Sequence, residues 1–159
     1  MSQYNSPDTA DEFIKRTKKI VEQYNKQECY YGSDFYNVTL LVNCLLGLIV
    51  VPRENKLNSL TDTAIPKNLL ATIKAAVDQS GNNITIKFKE YIIGLRNGVV
   101  HFSSNDSLSF NNNSGKIESL EIIGKTNKKK NTITYFFKLN DSNQLEIAVN
   151  EILNYVYGT

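Results

Sequence analysis

Histidine and cysteine, which supply most metal ligands and many nucleophiles, are nearly missing here. The 159-residue chain has one histidine, His101, and two cysteines, Cys29 and Cys44. So few ligands exclude a zinc finger, a multi-histidine zinc or iron site and a disulfide framework. No GxGxxG, P-loop, GxSxG or HExxH pattern occurs, so the common nucleotide-binding, serine-hydrolase and zinc-protease signatures are absent too. No cofactor and no metal are expected. Three prolines and eight glycines give no linker long enough to split the chain, and no internal repeat is visible.

The stretch from Met1 to Glu12 is polar and acidic, without the apolar core of a signal peptide. The longest apolar run lies within 35–50. It falls short of the ~20 residues of a membrane span and is followed by Arg53 and Glu54. A cytoplasmic protein with no membrane contact is therefore expected. Net charge is +2, from 18 basic and 16 acidic side chains, so a nucleic-acid surface would have to be a local basic patch.

What is present is an ordinary globular composition, 41% hydrophobic and 21% charged. A chain of this length can bury a core without staples, and residues 1–159 are read as a single domain. Thr9-Ala10-Asp11-Glu12 has the spacing of a capping box, and Phe13, Ile14, Thr17, Ile20, Val21 and Tyr24 follow as one stripe, predicting a helix over about 9–28. Leu40, Leu41, Val42, Cys44, Leu45, Leu46, Leu48 and Ile49 predict a core helix over about 35–50, stopped by Pro52. Pro66 with Leu69, Leu70, Ile73 and Val77 predicts a third helix over about 66–80, ended by Ser80-Gly81. Phe88, Tyr91, Ile92, Leu95 and Val99 carry a fourth over about 84–102, although Thr85 to Lys89 also alternates.

Residues 103–115 read as a Ser- and Asn-rich surface loop. Alternation in Ile117–Ile123 and Thr132–Leu139 predicts a hairpin over about 117–139, and a last helix covers about 142–157. The fold class expected is mainly α: four to five helices in a bundle, with a small β-hairpin before the C-terminal one.

The surroundings of His101 are the one constellation with chemistry in it. Arg96 precedes the histidine by five residues and Asn97 by four. On a helix, positions four apart share a face. Guanidinium is a permanent planar fork for phosphate oxygens, and imidazole exchanges protons near neutral pH. These groups suffice to cleave RNA, whose ribose supplies its own nucleophile. The plainer reading is a lone histidine capping a helix, with Arg96 in a surface ion pair.

The segment Arg96-Asn97-Gly98-Val99-Val100-His101, late in a helical domain, resembles the R-x4-H signature of the HEPN superfamily. The long apolar helix from Phe35 with its Pro52-Arg53-Glu54 stop is similar to that of a plasmid-encoded HEPN subgroup. The resemblance implies a metal-independent endoribonuclease of toxin, phage-defence or other stress systems. Two chains would form a homodimer whose R-x4-H helices face each other around an RNA cleft. His101 would be the general acid/base, Arg96 would neutralise the scissile phosphate, and Asn97 would position the substrate or the motif. An antitoxin or regulatory protein is a further expected partner. Members paired with a nucleotidyltransferase antitoxin often carry Tyr two residues after the histidine, where AMP is attached; here that residue is Ser103.

The alternative of another class is a non-catalytic HEPN-like module that binds RNA or protein. Lys128, Lys129 and Lys130 at the hairpin tip are candidates for RNA phosphates, against the plainer reading of a solvated tip. Tyr30, Tyr31 and Tyr36 are candidates for stacking on bases, against a core rim or dimer surface.

Overall fold

A computed structural model of the protein describes residues 12–20, 22–23, 42–45, 47–48, 57–58, 60, 62–100, 108–113, 116–126, 130–139 and 144–158. Residues 12–20, 22–23, 42–45 and 47–48 are helical, and so are 57–58. Four strands follow: β1 (Ile73–Val77), β2 (Leu108–Asn113), β3 (Lys116–Thr126) and β4 (Asn131–Lys138). A short helix, Lys67–Leu70, precedes β1; a central helix, Phe88–Val100, separates β1 from β2; a C-terminal helix spans Gln144–Tyr157.

The expected mainly α bundle does not hold. The strands form one antiparallel sheet in the order β1-β4-β3-β2, so the domain is α+β. The β3–β4 hairpin is the middle of this sheet, with Leu120 opposite Phe137 and Ile122 opposite Tyr135. Two segments read otherwise from sequence complete it.

The first lies in the helix expected over 66–80, which stops at Leu70. Thr72 turns its hydroxyl back onto the Leu69 carbonyl at 2.7 Å, the kind of side-chain bond that competes with helix continuation. Ile73–Val77 then pairs with β4, Ile73 opposite Tyr135 and Val77 opposite Thr132. Leu70, counted in the apolar stripe, is 54% exposed. Gly81 ends no helix; it sits at φ 84° in a turn, where the Asp78 carboxylate accepts the N–H groups of Ser80 (2.8 Å) and Asn82 (2.9 Å).

Residues 82–84 fold back along β1. Asp78 N–H donates to the Asn82 carbonyl and Ile84 N–H to the Ala76 carbonyl, both at 2.9 Å. This protects an edge that would otherwise be open. It also delays the helix expected from Ile84, which begins at Phe88, where Glu90 reaches back to accept the Lys87 N–H at 3.0 Å.

The second is β2, in the segment read as a surface loop. Its Ser and Asn residues are poor strand formers, yet Leu108 and Phe110 stand in register with Ile122 and Leu120. Cross-strand pairing decides the conformation there, and a bulge between Asn111 and Asn112 interrupts it.

One core joins the layers. Leu120, Ile122, Ile133, Tyr135 and Phe137 on the inner sheet face meet Phe88, Tyr91, Ile92 and Leu95 of the central helix and Leu145, Val149 and Ile152 of the C-terminal helix. Ile14, Cys44, Leu45 and Leu48 belong to the same buried cluster. Burial also raises the Cys44 thiol above its ordinary pKa, as for an inert core cysteine.

Candidate active site

The central helix is set unusually close to the sheet. Gly94 and Gly98 are one helical turn apart and therefore share a face. At Gly98 an added Cβ would stand 2.6 Å from Ile122 Cγ2 and 2.8 Å from the Ile123 carbonyl oxygen. At Gly124 of β3 an added Cβ would collide with the Gly94 backbone itself. Helix and strand thus touch backbone to backbone.

Gly94 also admits the Tyr135 side chain to the helix backbone, where its hydroxyl donates to the Tyr91 carbonyl at 2.7 Å. The Tyr91 hydroxyl shares a hydrogen bond of 2.8 Å with the Thr72 hydroxyl, and the Tyr91 and Tyr135 rings meet edge to face at 5.0 Å. Both phenols are held far above their ordinary pKa, first of all by burial, so they stay neutral at working pH. Their role is to fix the helix in place.

At 3.6 residues per turn, about 100° per residue, Arg96 lies about 200° round from Gly94 and from Gly98. The close-packed face therefore turns Arg96 away from the sheet, and its side chain is exposed. Among the described residues it forms no ion pair. Asn97 flanks the contact face and is half-buried. Its Nδ2 donates to the Lys125 carbonyl at 2.7 Å, which ties the motif-bearing turn of the helix to the end of β3. Lys125 and Lys130, on either side of the hairpin turn, are exposed.

His101 follows Val100 in the chain and lies outside the described residues, as do Lys128 and Lys129. Tyr30, Tyr31, Tyr36, Arg53, Glu54, Cys29 and Ser103 lie outside them as well. The structure therefore brings together Asn97 and the hairpin end and places Arg96 on the open side of the same helix. Sequence reasoning missed Gly94, Gly98 and Gly124. The four-residue spacing of the first two was the available signal; the strand was expected from its alternation, but not that this helix packs against it.

Among the described residues no group of three or more His, Cys, Asp or Glu side chains could hold a metal ion. None of the described helices is long and apolar enough to cross a membrane.

The helix carrying Arg96 and Asn97 resembles the motif helix of the HEPN class, and comparison with known families bears on that resemblance directly. Residues 1–157 match the family model described as HEPN pEK499 p136. The chain belongs to that family, which lies within the HEPN superfamily. No curated protein and no solved structure gives a significant match.

Proposed function

We propose that the protein is a metal-independent endoribonuclease, acting as a homodimer in the cytoplasm as a toxin, phage-defence or stress effector. Membership of a HEPN family supports this, since HEPN domains are commonly ribonucleases. The observation that carries it is the seating of the motif helix: glycines bury one face against β3 while Arg96 faces outward with its charge unspent on any described carboxylate.

In the proposed reaction the ribose 2′-oxygen attacks the adjacent phosphorus and its proton passes to His101. Arg96 neutralises the charge that builds on the phosphoryl oxygens. The bond to the 5′-oxygen breaks, and that oxygen takes up a proton. The products are a 2′,3′-cyclic phosphate and a 5′-hydroxyl. Lys128, Lys129 and Lys130 hold phosphates beside the cleft, which two facing copies of the helix complete.

The test is cleavage of a labelled total-RNA pool in excess EDTA by the wild type, Arg96→Ala and His101→Ala, with the new ends mapped. Cuts with cyclic-phosphate ends that vanish in both variants are expected. Equal cutting by all three proteins, or none by any, would reduce the protein to an RNA- or protein-binding module. Sedimentation of the same preparations should show a dimer; a strict monomer at micromolar concentration removes the shared cleft.

A further inference from the structure

The central and C-terminal helices pack on the inner face of the sheet; the outer face is built differently. Alternation puts Thr132, Thr134, Phe136 and Lys138 of β4 on it, opposite Lys125, Ile123, Glu121 and Ser119 of β3. Ser109 and Asn111 of β2 extend it on one side, both exposed, and Lys74 of β1 on the other. Among the described residues no element packs across this face.

Its charge is one-sided. Glu121 is the one described carboxylate there, and it is already paired with Lys74 at 2.7 Å. Lys125 and Lys138 are exposed at the two ends, six residues apart along β4, or roughly 20 Å at ~3.4 Å per residue. Phe136 is half-buried between them, with Lys74 Nζ 5.8 Å from its ring centre. Ile123, Ala75 and Val77 add apolar surface, Ser119 is buried, and Thr132, Thr134, Ser109 and Asn111 supply the other polar groups.

We propose that this outer face is a binding site for single-stranded RNA. A backbone lying along the sheet meets Lys138 and Lys125, a base stacks at Phe136, and the hydroxyl and amide groups serve base edges without imposing a sequence. Lysines along a groove with an aromatic platform are the general means of holding a single strand. The site is continuous with the motif. Lys125 presents its side chain to the outer face while its carbonyl holds Asn97, the neighbour of Arg96. A strand leaving the face at Lys125 passes the hairpin turn and Lys130 on its way to the helix. The assignment rests on the chain being an RNA-acting protein, but it predicts binding that does not require cleavage.

The experiment measures binding of a fluorescein-labelled 2′-O-methyl oligouridylate, which lacks the attacking hydroxyl, to the full chain across a salt series. Lys125→Glu/Lys138→Glu should weaken binding and flatten the log–log salt dependence by ~0.7 for each phosphate that is no longer neutralised. Phe136→Leu, which keeps an apolar side chain of similar size, should cost roughly fivefold or more in affinity, and Phe136→Tyr should restore it. Thr134→Glu supplies a second block in mid-face, and thermal melts exclude variants that fail to fold.

If the wild type cleaves RNA, the same variants should raise KM on a long RNA and leave cleavage of the dinucleotide UpA unchanged. Weaker oligouridylate binding in a protein that cuts nothing would sustain the site and sink the nuclease. Unchanged affinity and salt slope in all the folded variants would overturn the site and leave the nuclease standing. Loss of the dimer without loss of RNA affinity would overturn it too, making the face a surface between copies.

Discussion

Adding a methyl group at Gly98 has two opposed consequences. Alanine is the better helix former by ~1 kcal/mol, but the new Cβ meets the backbone of Ile123 and the side chain of Ile122, and overpacking of this kind costs ~1–3 kcal/mol. The backbone cannot move aside without unpairing β3, so Gly98→Ala should be destabilised. Gly124→Ala should be worse, by ~3 kcal/mol or more, because helix and strand must separate. Gly47 is the contrast. There the obstacle is the end of the Phe13 ring, 2.6 Å away, on a side chain 39% exposed and able to swing out. Gly47→Ala should therefore fall between neutral and a gain of ~1 kcal/mol. Urea midpoints in the order Gly47→Ala, Gly98→Ala, Gly124→Ala, highest first, are the expected result.

Asp78 gives a pH signature at the same scale. The Asn82 N–H, then the Asn82 side-chain amide, hold its carboxyl below the usual carboxylate range. A folded-state pKa below the unfolded value, ~3.9 for Asp, means stability that is present above that value and lost as pH falls through the folded one. The melting-temperature gap between wild type and Asp78→Ala should be full near neutral pH and shrink as pH falls below about 4. A gap that widened in acid would assign the turn's stability to something other than this carboxylate.

The elements differ in how far the sequence revealed them. Phe88, Tyr91, Ile92 and Leu95 marked the central helix because a helix states its own period, and all four are fully buried. Ile73–Val77 states no such period. Ala75 and Ala76 suit a helix, and the segment is a strand because β4, more than fifty residues later in the chain, pairs with it. β2 was hidden for the same reason, its Asn-rich composition arguing for a loop until β3 stands beside it. At the site, the solvent-facing Arg96 was legible from spacing. The use of Asn97 as a tether was not, because its acceptor belongs to a distant strand.

That tether separates two substitutions. Asn97→Ala loses a hydrogen bond worth ~1 kcal/mol. Asn97→Asp loses the donor too and sets a carboxylate against the Lys125 carbonyl, an acceptor facing an acceptor. Asp should therefore lower the melting temperature more than Ala does, although it is closer to Asn in shape. The reverse order in thermal melts would show that Asn97 Nδ2 does not hold Lys125.

At the scale of the whole molecule, much of the pairing is between distant parts of the chain. The sheet joins β1 to β4 across the central helix and β2, and Tyr157 near the far end donates to the Leu48 carbonyl at 2.9 Å. Such non-local pairings form slowly, because a long loop must close before its ends can pair. They also set an order in time during synthesis. The arginine-bearing helix leaves the ribosome before either strand that seats it, and 38 residues separate Val100 from Lys138. At ~5–20 residues per second, several seconds pass in which the motif exists as sequence and not yet as a site. For a chain that cuts RNA, those seconds cover its attachment to the very messenger being read. On the proposed reading, a motif helix set by later strands keeps the chain from acting on its own template until its sheet is nearly complete.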